Sequence, residues 1–494
     1  MFDGLMIALE LNNLVNLFLG SVLGLIIGAA PGLGPVFGLA LFLPMTFSMT
    51  PAGAIIFMSS FYASCVYGGS ITAFLINVPG TPGSIATCFD GYPMNRKGEC
   101  GRALGISVTA SFIGGVTGVL ALLFLGPPLA VLSLAIGPSE FFLLATLGLC
   151  LIALATKGNI IRGLIMVGLG LMLSFVGRSV VTGEARFNLG TIYLEDGIQF
   201  VPLVIGVFAF AQAMILSNDT ETYSSSADAK VAGVLNGVMD VLRRPKTVIR
   251  NSILGTVIGI LPGLGINAAN FMCYVTEKSL SKKPDEFGTG VVEGIIAPES
   301  GGNASTTGSL VPAFGLGVPG GASAALFISA LMIHGLQPGH GFFTSSGHLF
   351  STIICGMFFS QVAFLILGLC FAKQFAKITQ VPNNLMVPMI LVLTFLGSLA
   401  YRGMLSDMFV MLIAGVLGYY LQKFKFPLPC IILGMILGGL AEDNFCRAMR
   451  LSRYSLSVFY TRPISLVLVL IIIFSFTYSP LKNYIKSRKN GEHA

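Results

Sequence analysis

Apolar runs near the length of a bilayer crossing decide what this chain can become. They lie at 104–125, 139–156, 160–176, 198–217, 347–371, 384–400, 407–421, 427–441 and 463–480, and about 20 residues of helix cross ~30 Å of hydrocarbon. Lipid offers backbone groups no hydrogen-bond partners, so such runs must satisfy their own, and the helix does this within one segment. Only 10% of the 494 residues are charged, against roughly 25% in a soluble domain. That scarcity excludes a soluble enzyme, a nucleic-acid binder and a secreted disulfide module. The nine cysteines are scattered, with no CxxC pair, so they signal neither a metal site nor a disulfide framework. The early apolar run carries Asp3 and Glu10 and lacks a basic flank, so it reads as a first membrane element rather than a leader. With the irregular segments 14–94 and 251–335 included, the expected fold is an all-α polytopic membrane protein of about ten to twelve passes with re-entrant pieces.

Residues 21–34 (SVLGLIIGAAPGLG) and 252–265 (SILGTVIGILPGLG) are identical at nine of fourteen positions, including Pro-Gly-Leu-Gly. Further on, Ala73-Phe74 and Val78-Pro79-Gly80 match Ala313-Phe314 and Val318-Pro319-Gly320 at an offset of 240. An internal repeat of this kind outranks any local reading. No Lys or Arg precedes Arg96, and the first copy ends at Arg96, Lys97 and Arg102; the second begins after Arg243, Arg244, Lys246 and Arg250 and ends in a stretch, His334 to Ala372, without Lys or Arg. Basic residues concentrate on the cytoplasmic side, so the copies are expected to run in opposite directions, placing Lys97 and Ser281 inside and the surroundings of Gly341 outside. Inverted repeats with interrupted helices are the signature of a secondary transporter with its site near the midplane.

The second motif has basic residues on both flanks, Arg250 before it and Lys278, Lys282 and Lys283 after it. Arms 251–261 and 266–277 reach ~16 Å at 1.5 Å per residue, half the hydrocarbon depth, which predicts a re-entrant hairpin with Pro262, Gly263 and Gly265 at its tip. Symmetry predicts the same for Pro31, Gly32 and Gly34. The expected organisation is a first repeat with scaffold helices (1–216), a polar, basic cytoplasmic linker (217–250), a second repeat with scaffold helices (251–480) and a basic cytoplasmic tail (481–494).

Two polar segments, 67–84 and 297–309, read as breaks that line the site, because such sequence is tolerated at membrane depth only when buried in protein or facing a wet cavity. Their candidates for binding substrate are Asn77, Thr81 and Ser84 in the first, Asn303, Ser305 and Thr306 in the second, and Ser323 just beyond; taken singly, each is equally served by a helix–helix hydrogen bond. Neither segment holds Lys or Arg, so an anion would rest on helix N-termini, backbone N–H groups and hydroxyl or amide donors. Asn77, Glu299 and Asn303 are candidate ligands for a coupling cation, Na+ or H+, with Glu293 a weaker one; Asp90 reads as a turn residue. Gly315–Gly320 fits GxGxxG but lacks a preceding strand. The four histidines fit neither HExxH nor a Ser/His/Asp spacing, so neither an enzyme nor a resident cofactor is expected.

The motifs GxxPGLGP near 28–35, YGG…NVPGTPG at 67–83, DGYPM at 90–94, PGLG at 262–265, APES…NAS at 297–305, LGVPG at 316–320, HGLQPG at 334–339, LGY…FP…ILGMILG at 417–438 and RPIS at 462–465 span nearly the whole chain. In them the chain resembles the large membrane subunit of the tripartite tricarboxylate transporters. The resemblance implies a cation-coupled symporter of the bacterial inner membrane that works with a small four-helix membrane subunit and a periplasmic solute-binding protein. Its solutes would be tri- or dicarboxylates or aromatic acids. Where the family usually carries two consecutive Asn, this chain has Gly302-Asn303, which bears on any contact made by the first. The hairpins suggest an elevator-like motion of a core domain against a scaffold; the alternative reading is a carboxylate-permeable channel.

Overall fold

The computed structural model describes residues 2–30, 33–155, 160–179, 182–218, 233–262, 264–339, 342–343, 347–376 and 383–474. Helices dominate. The chain opens with α1 (Phe2–Ala8), α2 (Leu11–Ala29), α3 (Gly34–Phe42), α4 (Pro51–Ile76) and α5 (Ile85–Arg96). Then come α6 (Cys100–Ala135), α7 (Pro138–Ala155), α8 (Ile160–Ser174) and α9 (Phe200–Asn218). The second polar region holds α10 (Val234–Leu242), α11 (Pro245–Ile260), α12 (Gly265–Leu280), α13 (Val292–Gly308), α14 (Leu310–Leu316) and α15 (Ala322–Ile333). The last stretch is α16 (Gly347–Ala376), α17 (Asn383–Arg402), α18 (Leu405–Lys423), α19 (Pro429–Leu451) and α20 (Pro463–Phe474). Among the described residues eight helices are long and apolar enough to cross a membrane, and five apolar helices are shorter. This is the expected all-α polytopic membrane protein.

Local chemistry sets several helix starts. Thr50 caps α4 by accepting from the Gly53 N–H at 3.2 Å, and Pro51 stands in its first turn, where no intrahelical donor is lost. Pro245 and Pro429 open α11 and α19 in the same way. The linker expected over 217–250 is partly helical: α10 and the start of α11 occupy 234–250, and 219–232 lie outside the described residues.

The polar segment at 297–309 is not a break. It forms most of α13, a buried helix that runs through Pro298 and Gly301-Gly302. Two of its hydroxyls bond to its own carbonyls: Ser300 donates to Ile296 O at 2.7 Å and Thr306 to Gly302 O at 3.0 Å. Its glycines admit the neighbouring helices, since a Cβ on Gly301 would lie 2.3 Å from Cys273 Sγ. Residues 67–76 likewise continue α4, so the first break is confined to Asn77–Thr81. Asp90 is not in a turn either; it is a buried residue inside α5.

Contacts divide the chain into two units, Met1–Ala130 with Gln199–Tyr420, and Val131–Ile198 with Leu421–Ala494. In the second unit α7 and α8 pack on α19, with Gly170 and Gly434 in backbone contact. There the buried Glu140 accepts from Gly137 N, Ser139, Ser465 and Arg462, and Arg186 of a two-stranded antiparallel ladder pairs with Glu442 through its two terminal guanidinium nitrogens, at 2.6 and 3.1 Å. All the candidate site residues lie in the first unit.

Candidate functional site

The repeated sequence forms a repeated set of contacts. A Cβ built on Gly24 would meet Phe61 O at 2.4 Å, and one on Gly255 would meet Gly301 O at 2.0 Å. One turn on, Gly28 stands against Cys65 O (2.1 Å) and Gly259 against Ser305 O (2.6 Å). The helix pairs α2/α4 and α11/α13 thus touch backbone to backbone at the same relative positions, and only glycine permits that approach. Each pair then ends alike. Asn77 caps α4 with φ 58° and Gly317 caps α14 with φ 71°, both left-handed. Beyond them Gly80 N donates to Gly69 O at 3.1 Å and Gly320 N to Ser309 O at 3.2 Å. The helix breaks are therefore Asn77–Thr81 and Gly317–Gly321.

The last glycine of each Pro-Gly-Leu-Gly motif lies beside one of these breaks. Gly34 and Gly265 have φ of +69° and +61°, which lets the chain reverse into α3 and α12. A Cβ on Gly34 would lie 3.8 Å from Pro82, and one on Gly321 would lie 3.8 Å from the Gly265 Cα. Pro262 is half-buried in the second tip; Pro31, Gly32 and Gly263 lie outside the described residues. Thr81 and Ser84 are buried and their hydroxyls hydrogen-bond each other at 2.7 Å. Ser323 is buried in the first turn of α15. Asn77 is exposed.

Elements from the two repeats meet at the first break. Asn270, on α12, donates its amide to Gly83 O at 2.9 Å, and its carbonyl oxygen, though buried, has no partner among the described residues. Asn267, one turn earlier, is exposed. On α13 the Asn303 amide faces Glu299 O at 3.4 Å, while its Oδ1 and the Ser305 hydroxyl are buried without a partner there. Glu299 stands one turn before Asn303. Its Oε1 accepts from Ser70 (2.6 Å) and Thr87 (2.7 Å), its Oε2 from Ser111 (2.7 Å), so this buried carboxylate joins α4, α5, α6 and α13. The hydroxyls on Glu299 and the amides Asn267 and Asn270 are the residues that sequence reasoning missed; for the amides the available signal was their i, i+3 spacing directly after the tip.

Carboxylates away from the tips are held by identified donors. Asp90 Oδ1 accepts the backbone N–H groups of Gly288, Gly290 and Val291 at 2.8–2.9 Å, and Oδ2 the Tyr274 hydroxyl at 3.0 Å, fixing the entry to α13. Glu277 pairs with Arg250 and accepts from Asn251 at 2.7 Å, which ties α11 to α12 at the base of the hairpin. Glu293, a sequence candidate for an ion ligand, is half-exposed and pairs with Arg244 at 2.6 Å. Among the described residues no group of three or more His, Cys, Asp or Glu is placed to hold a metal ion.

An apolar polytopic protein whose buried centre holds paired helix breaks, hydroxyls and amides has the frame of a membrane transporter. The chain belongs to the tripartite tricarboxylate transporter TctA family, whose model matches residues 14–433. It is 37% identical over 456 residues to the "uncharacterized 52.8 kDa protein in TAR-I ttuC' 3'region" of Agrobacterium vitis, covering 92% of this chain and 90% of that protein. It is also 35% identical over 211 residues to the "uncharacterized protein in TAR-II ttuC' 3'region" of the same organism, covering 43% of this chain and 87% of that protein. No solved structure gives a significant match.

Proposed function

We propose that the chain is the large membrane subunit of a cation-coupled carboxylate importer in the bacterial inner membrane. It works with a small membrane subunit and a periplasmic protein that delivers the solute. The observation that carries the reading is the crossing just past the first break, where Asn270 of the second hairpin holds Gly83; its own buried carbonyl, and that of Asn303 on α13, have no partner among the described residues. Amide and hydroxyl oxygens are the donor set that a hard cation such as Na+ takes, commonly with carbonyls from unwound helix. The carboxylate rests against the first turns of α3, α12 and α15, whose N–H groups lack intrahelical partners. Pro31, Gly32, Gly34, Pro262, Gly263 and Gly265 shape this bed, Thr81, Ser84, Thr306 and Ser323 add hydroxyls, and Asn77 stands at its exposed rim. The repeats run in opposite directions, and the hairpin-bearing core moves in an elevator-like step.

The test is uptake into proteoliposomes that hold this chain with its membrane and periplasmic partners. An imposed Na+ gradient should drive accumulation of a labelled tri- or dicarboxylate, and an ionophore should abolish it. Asn270→Ala and Asn303→Ala should each lower apparent affinity for Na+ or solute by about tenfold or more, the loss expected for ~1–3 kcal/mol from an unpaired buried contact. Accumulation driven by a pH gradient alone would assign the coupling to protons. Downhill flux that neither saturates nor follows any ion gradient would make the protein a channel.

A further inference from the structure

The structure assigns a second ligand to this protein: an anionic phospholipid held on α10 and the start of α11. Helix α10 is fixed on one side, because Gly237 lies against Arg102 O and Gly105 against Val234 O, each at 2.1 Å from an ideal Cβ. Its other side carries Leu235, Met239 and Leu242, exposed by 79%, 48% and 56%, at the i, i+4, i+7 spacing of one helical face. On α11 a second exposed apolar row follows, Ile249, Ile253 and Val257.

Between these rows stand Arg243 and Lys246, both exposed. The other basic residues nearby are neutralised: Arg244 by Glu293 and Asp240, Arg102 by Glu99 and Asp240, and Arg250 by Glu277. Arg243 and Lys246 have no ion-pair partner among the described residues. Two cations without an ion-pair partner among the described residues, bracketed by exposed apolar rows, match the order of chemistry in a phospholipid, phosphate beside acyl chain. Between α10 and the start of α6 there is also a cavity of about 630 Å³ walled by Arg102, Asn236, Met239 and Arg243, with Glu99 and Asp240. It gives a headgroup room beside Arg243, and the two acids on its wall are already paired with Arg102.

The experiment uses the full chain in a neutral detergent, with thermal unfolding and native mass spectrometry as readouts. Phosphatidylglycerol in mixed micelles should raise the unfolding midpoint and appear as bound adducts, whereas phosphatidylcholine should do neither. Arg243→Gln with Lys246→Gln should leave the midpoint in detergent alone unchanged and weaken phosphatidylglycerol binding by roughly tenfold to thirtyfold, the worth of two basic residues at an anionic surface. Leu235→Ser with Met239→Ser should weaken it as well, since acyl contact is part of the site. An equal response to phosphatidylcholine, full retention of binding by the Gln variant, or an equal shift from glycerol phosphate without acyl chains would each overturn the assignment.

Discussion

Glu299 shows how a residue singled out in the sequence can have surroundings that the sequence does not disclose. The sequence marks it as a carboxylate at membrane depth, where such groups are rare and functional. It cannot reveal that Ser70, Thr87 and Ser111, 188 to 229 residues away, close around it. Glu299→Ala would leave three buried hydroxyls without their acceptor, and each such group costs about 1–3 kcal/mol. The expected outcome is a lower unfolding midpoint for Glu299→Ala and a smaller loss for Glu299→Gln, which keeps an oxygen for two of the hydroxyls. Thermal unfolding of both variants in detergent checks this; a wild-type midpoint for the alanine variant would show that the cluster contributes nothing to stability. Asp90, expected in a turn, is placed otherwise for a related reason. Its neighbours Gly91 and Pro93 suggest a turn, but Phe74, packed where a Cβ on Gly91 would sit, and the N–H groups of the 288–291 loop hold it inside a helix.

At the scale of elements, the residues shared by the two copies build the frame, and the buried amides fall where the copies differ. Gly24, Gly28 and Gly80 repeat as Gly255, Gly259 and Gly320 because backbones touch there. Asn267, Asn270, Asn303 and Ser305, by contrast, correspond at the same offsets to Val36, Leu39, Ala63 and Cys65. A comparison that counts identities therefore finds the hairpins and helix pairs and passes over the amides. Gly255→Ala places a Cβ 2.0 Å from Gly301 O and Gly24→Ala one 2.4 Å from Phe61 O; each should destabilise by about 1–3 kcal/mol, the usual cost of overpacking. Gly168→Ala, with nothing within 4 Å of the added atom, should be neutral or slightly stabilising. Unfolding midpoints of the three variants decide the point, and equal midpoints would mean that the glycine contacts do not govern helix approach.

At the scale of the molecule, the distribution of Lys and Arg predicts an orientation for the chain across the membrane before any helix is placed. Cysteines introduced at Lys97 and Ser281, in a version with the nine natural cysteines replaced, should be labelled from one side of the membrane, and one at Gln337 from the other. A membrane-impermeant maleimide applied to intact cells and to inverted vesicles reads this directly, and labelling of all three from the same side would contradict opposed repeats. The sequence by itself determined the helical class, the polytopic character and the duplication, because length, hydropathy and a repeated Pro-Gly-Leu-Gly act locally or in register along the chain. Only the tertiary structure decided that 297–308 belong to a buried helix rather than a break, that Asn270 crosses to Gly83, and that Glu299 is ringed by hydroxyls. Each of these depends on groups far apart in sequence meeting in a dry interior, where a polar side chain must find a partner and the fold chooses which one.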